Sequence, residues 1–138
     1  MVVDLFSKEW MVRFQNEWNN EPELARDLAH IKFNSNIAYG FKGEPDPRGI
    51  IQVVKGKVTS AVDYDAELCD WEINWDLRAE PEDWQSWFKN PPGMIAVGMA
   101  YTSGKLVFKQ GDYAAMIKDP RIAGPFVKSF SVMARVWM

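Results

Sequence analysis

The chain has 138 residues, 47% of them hydrophobic and 25% charged, with a net charge of −3 and an isoelectric point near 5.2. That length fits one domain with a sizeable core, and the composition is that of a soluble globular protein. The acidic balance leaves no electrostatic footprint for nucleic acid and no basic cluster for docking on anionic membranes, and the single cysteine, Cys69, excludes an intramolecular disulfide and a cysteine-based zinc site.

The start, Met1 to Trp10, lacks the basic residues and apolar run of a signal peptide. No apolar run approaches the ~20 residues that span a bilayer. Val136-Trp137-Met138 forms no peroxisomal or reticulum address. The expectation is a cytoplasmic protein without stable membrane insertion.

Residues 4–19 are predicted to form a helix capped by Asp4 or Ser7, in which Phe6, Trp10, Phe14 and Trp18 recur every four residues as a core-facing stripe. Asn19-Asn20 ends it. Glu21-Pro22 opens a shorter helix running to about His30, because proline suits a first turn.

Strands follow. Ile31, Phe33, Ile37, Tyr39 and Phe41 alternate with Lys32, Asn34, Asn36 and Lys42, a period of two that buries one face and wets the other. Gly43 to Gly49 is turn-rich, Ile50 to Lys55 is a second strand, and Val58 to Tyr64 a third. From Cys69 to Arg78, Cys69, Trp71, Ile73, Trp75 and Leu77 alternate with Asp70, Glu72, Asn74, Asp76 and Arg78. This reads as a fourth strand, joined to the third as a hairpin by the short Asp65–Leu68 connector. The sheet is then mainly antiparallel with one wet face.

Glu80-Pro81-Glu82-Asp83 places acids at the positive end of a helix that carries Trp84, Trp87 and Phe88 on one side. Asn90-Pro91-Pro92-Gly93 breaks the chain. Met94 to about Tyr101 is a helix of small and methionine residues, Lys105 to Lys109 a fifth strand, and Asp112 the cap of the next helix. Asp119-Pro120 stops that helix and Gly124-Pro125 restarts the chain. In the last helix Phe126, Phe130, Met133 and Trp137 share a stripe. Segregated strands and helices indicate an α+β fold: a five-stranded, mainly antiparallel sheet with helices packed on one face.

Catalytic chemistry is sparse. His30, the only histidine, suits a helix C-terminus, and one histidine cannot build a multi-histidine metal site. Cys69 sits on the apolar side of its alternating run and reads as a small buried hydrophobe. Asp70, Glu72 and Asp76 read as a solvated strand face rather than a cation site or an acid/base pair. The Gly43–Gly49 loop lacks phosphate-loop spacing.

The run Tyr101-Thr-Ser-Gly104-Lys105-Leu-Val-Phe-Lys-Gln-Gly111-Asp112, followed by Tyr113-Ala-Ala-Met116-Ile117, resembles the sterol carrier protein 2 family, whose members show a Gly-Lys-Leu strand, a Gly-Asp turn and small or methionine residues in the next helix. The order of elements agrees along most of the chain. The resemblance implies an apolar tunnel between sheet and helices that takes fatty acids, fatty acyl-CoA, sterols or phospholipids, in a small stand-alone bacterial or otherwise cytosolic protein. It implies binding or transfer of an apolar lipid, with no cofactor, no metal and no turnover. Trp84, Phe88, Met94, Met99, Met116, Ile117, Phe126 and Phe130 are then the candidate wall residues, and Lys105 and Lys109 candidate contacts for a lipid carboxylate or CoA phosphate. The many large rings narrow such a tunnel and favour a thin acyl chain over a sterol. Two alternatives stand beside it: a small α+β enzyme acting on an apolar substrate, and an interaction module that docks a partner or forms a homodimer.

Overall fold

The computed structural model describes residues 4–67 and 69–137, Trp137 by its backbone only. Helix α1 spans Lys8–Asn19 and is capped by Ser7, whose hydroxyl accepts from the Trp10 amide at 3.3 Å. Trp10, Met11, Phe14 and Trp18 form its buried stripe, and Phe6, at φ 63° just before the cap, is buried with them. Each such side chain contributes roughly 1.5–3 kcal/mol on burial. Helix α2, Ala25–His30, starts later than the proline suggests, because residues 22–24 form a turn on the Glu21 carbonyl, which accepts from both the Leu24 and Ala25 amides.

Strands β1 (Ser35–Phe41), β2 (Gly49–Val54), β3 (Lys57–Asp63), β4 (Trp75–Ala79) and β5 (Val107–Gln110) form one sheet in the order β3-β2-β1-β4-β5. The pairs β1/β2, β2/β3 and β4/β5 are antiparallel, and β1/β4 is parallel. Helices α3 (Pro81–Lys89), α4 (Met94–Thr102), α5 (Tyr113–Ile117) and α6 (Pro120–Trp137) complete the α+β architecture. β1 begins at Ser35 rather than Ile31, because Lys32 takes φ 52° and the Phe33 amide returns to the Leu28 carbonyl.

Two expectations need correction. The alternating run 69–78 is not one strand, and it makes no hairpin with β3. The chain instead passes from edge strand β3 to the far side of β1, as a parallel partner requires. Asn74 ends the pairing: its side-chain oxygen takes the Asn36 amide at 2.8 Å, in place of a backbone carbonyl, and the Asn36 side chain holds the Glu72 carbonyl at 2.8 Å. Cys69, in this crossover, is half-buried, and Leu68 lies outside the described residues.

The second correction is to the wet face. Tyr39, Leu77 and Ile51 point toward the helices, but Ala38, Gly40, Ile50, Asp76 and Arg78 on the opposite face are buried too. The loop between β1 and β2 folds back over this face, so a Cβ at Gly40 would meet the Pro47 Cα at 3.0 Å. Asp76, expected to be solvated, receives two hydrogen bonds from Arg78, at 2.6 and 3.0 Å, and Arg78 donates a third to the Glu44 carbonyl at 2.8 Å. Asp70 and Glu72 are exposed as expected.

Gly124-Pro125 does not restart the chain. Both lie inside α6, which begins one turn earlier because Asp119 accepts from the amides of Ile122 and Ala123 and Pro120 occupies the first helical position. Proline at 125 removes one amide donor from the helix interior.

Helix α6 is tied to the start of α2 by Glu21, which accepts from Arg135 at 2.6 Å, with Lys128 at 3.9 Å. The Arg135 hydrogen bond holds the Glu21 carboxyl below the usual carboxylate range. A lowered folded-state pKa stabilises above the unfolded value, and the gain disappears as pH falls through the folded value. Arg135 is 41% exposed, which screens the pair. Glu21→Gln is expected to cost about 1 kcal/mol at neutral pH, with the difference from wild type vanishing on acidification. Urea unfolding across a pH series checks this.

Candidate functional site: an apolar pocket under helix α6

An apolar pocket lies between the two central parallel strands and the first half of α6. Its floor is two register pairs, Ile37 with Trp75 and Tyr39 with Leu77, which alternate onto the helix-facing side of β1 and β4. Its roof is Ile122, Pro125, Phe126 and Ser129, the i, i+3, i+4, i+7 face of α6. Trp18, Leu28, Phe33 and Met116 close the sides. Trp18 is fixed there by its indole N–H, which donates to the Gly56 carbonyl at 2.8 Å.

None of the residues lining the pocket is charged. Ser129 donates its hydroxyl to the Phe126 carbonyl of its own helix. Burial raises the Tyr39 phenol above its ordinary pKa, which keeps it neutral. The cavity holds about 40 Å³, against roughly 300–1,000 Å³ for pockets that take drug-sized molecules. A cavity of this size is too small for a long ligand unless its walls move apart.

The candidate residues from the sequence fall in three places. Met116 and Phe126 line the pocket. Trp84, Phe88 and Phe130 sit in the aromatic core between α1, α3 and α6, with Trp84 stacked against Phe88 and Phe130 at centroid distances of 6.2 and 6.3 Å, and Ile117 packs half-buried against the core. Met94 and Met99 are 44% and 66% exposed and are not among the lining residues. Only Val97 and Ala100 of α4 are buried. Lys105 and Lys109 are exposed, Lys109 donating to the Pro45 carbonyl at 3.3 Å.

The floor residues Ile37, Tyr39, Trp75 and Leu77 were not among those candidates. Their alternation marked them as inward-facing, but only the β1/β4 pairing makes them neighbours. Cys69, Trp71, Asp63, Asp65 and Val62 surround a second concavity of about 320 Å³ on the crossover side. Its two carboxylates make it a poor berth for an apolar chain. Among the described residues no group of three or more His, Cys, Asp or Glu is placed to hold a metal ion, and no helix is long and apolar enough to cross a membrane.

Solved structures share this fold. A crystal structure of sterol carrier protein 2 superposes with a TM-score of 0.69 at 18% identity, covering 95% of this chain and 98% of the other. A conserved hypothetical protein from Thermus thermophilus, named as a possible sterol carrier protein, gives 0.61 at 16% identity over 96% and 87% of the two chains. A UbiJ-SCP2 ubiquinone synthesis protein gives 0.54 at 14% identity over 89% and 86%. No family model and no curated protein matches the sequence.

Proposed function

We propose that this chain, built on a sterol-carrier-protein-2-like fold, binds or transfers an apolar lipid in the pocket under α6, without turnover. The observation that carries this reading is a pocket at the junction of sheet and helices whose lining is apolar but for Tyr39 and Ser129 and carries no charge. Each methylene moved into such a site gains about 0.8 kcal/mol before ordering and association costs. Opening is eased at the roof, where Pro125 removes one helix hydrogen bond, and at the side, where Met116 is flexible and polarizable.

The absence of turnover is supported by the lining itself. It offers a neutral phenol and a hydroxyl already bonded to a carbonyl, and no His, Asp, Glu or Lys to take a proton at neutral pH. A fatty acid or fatty acyl-CoA would leave its charged head outside. Ile122→Trp, at the half-buried edge of the roof, is expected to fill the cavity and weaken binding of a fluorescent apolar probe, N-phenylnaphthylamine, about tenfold or more without lowering stability. Undiminished binding by a folded Ile122→Trp protein would place the probe elsewhere.

The exposed side of α4 supports a second reading, self-association. Ile95, Met99 and Met94 are 80%, 66% and 44% exposed on a helix that is apolar on every side. Light scattering across concentration is expected to show a dimer that Ile95→Lys dissolves; a wild-type monomer at every concentration removes this reading.

A further inference from the structure

Tyr39 is only 2% exposed and lines the pocket, its ring also packing against Phe6, Phe14 and Trp84. Among the described residues its hydroxyl has no hydrogen-bond partner, and burial alone governs its titration. This is unusual for a buried phenol, which ordinarily finds an acceptor or donor. Ser129, the other hydroxyl in the lining, is already bonded to the Phe126 carbonyl. Trp10 is the contrasting case: its indole N–H is fully buried without a partner and does not line the pocket, whereas the Tyr39 oxygen is not sealed off in that way.

We propose that the Tyr39 hydroxyl is the polar contact for the ligand, and that it selects an apolar molecule carrying a neutral oxygen, a hydroxyl or carbonyl, which enters polar end first. This inference rests on the pocket under α6 being the binding site. A phenol both donates and accepts, so it can pair with either kind of oxygen. The raised pKa keeps it protonated at every physiological pH. A carboxylate is disfavoured at the same spot, because no Lys, Arg or His lines the pocket to compensate a buried charge. An alkane admitted by the same opening of the walls leaves the hydroxyl unpaired.

The test compares decanol, decanoate and decane on the wild-type protein and on Tyr39→Phe, by displacement of N-phenylnaphthylamine at neutral pH. The expected wild-type order places decanol about five- to tenfold tighter than the other two, the advantage of one hydrogen bond made to a hydroxyl without a partner in the protein. Tyr39→Phe is expected to remove that advantage, leaving decanol and decane equal, while the unliganded variant unfolds at the same or a higher temperature because it loses an unpaired hydroxyl. A wild-type protein that binds decanol and decane alike, or decanoate most tightly, overturns the proposal. So does a folded Tyr39→Phe variant that keeps the preference. In those cases the pocket stands as an apolar site. If the wild-type protein binds neither the fluorescent probe nor any of the three compounds, the pocket itself is not the site and the inference falls with it.

Discussion

Asp76→Ala is expected to destabilise the protein by about 3–5 kcal/mol, the usual cost of stranding one member of a buried ion pair. Asp76 and Arg78 side chains are 7% and 4% exposed and bonded to each other through two contacts. Removing the carboxylate leaves a guanidinium sealed against the far face of the sheet, its one remaining strong partner the Glu44 carbonyl at 2.8 Å. The loss extends to the loop between β1 and β2, which Arg78 pins over Gly40. Replacing both members together, as Asp76→Val with Arg78→Met, is expected to recover most of the loss, because no charge is then left unpaired. Urea unfolding of the three variants measures this. A single variant within about 1 kcal/mol of wild type, in the range of an exposed pair, would mean that the pair is solvated in solution.

Trp84→Ala is expected to cost roughly 3–5 kcal/mol, the range for truncating a large buried ring. Trp84 is fully buried, with Phe6 and Trp87 edge-on at 5.2 and 5.3 Å, and its indole N–H donates to the Gly40 carbonyl at 2.9 Å. Trp84→Phe keeps most of the volume and is expected to lose only about 1–3 kcal/mol, from the unpaired Gly40 carbonyl. Trp84 does not itself line the pocket, though it packs edge-on against Tyr39 at 6.2 Å; Trp84→Phe keeps an aromatic ring there, so its probe affinity per folded molecule is expected to stay at the wild-type value. A selective loss of affinity in folded Trp84→Phe, with stability retained, would make Trp84 part of the binding wall.

The separation of Trp84 from the pocket shows what the sequence could and could not tell. The positions of α1, α3, α4 and α5, the Ser7 and Asp112 caps and the inward faces of β1 and β4 were legible, since each depends on local periodicity and on residues that satisfy nearby backbone groups. The pairing of β1 with β4 was not. The residues that set it, Asn36 and Asn74, act across a separation of 38 positions, and the alternation from Cys69 to Ile73 suits an extended crossover as well as a strand. Asp76 looked solvated because its burial depends on a partner two residues away on the same face and on a loop that closes from elsewhere.

The pocket was half legible for the same reason. Met116 and Phe126 carried a helical signal, whereas Ile37, Tyr39, Trp75 and Leu77 become a floor only through the parallel register. Helix α4 was legible as a helix but not in its orientation, because a helix apolar on every side has no face that periodicity can mark as inward. The Gly124-Pro125 step misled for a simpler cause. Asp119 and Pro120 had already supplied the start of α6, and a helix that has begun tolerates an interior proline at the loss of one hydrogen bond.

The most direct test of lipid binding under α6 is a methyl NMR titration of protein labelled at its methionine methyl groups, with decanol as the added ligand. Met116 lines the pocket, whereas Met94 and Met99 are exposed on α4. The expected result is a saturable shift of the Met116 methyl resonance with Met94 and Met99 unmoved. Saturable shifts at Met94 and Met99 with Met116 unchanged would contradict the account and move the binding surface to α4.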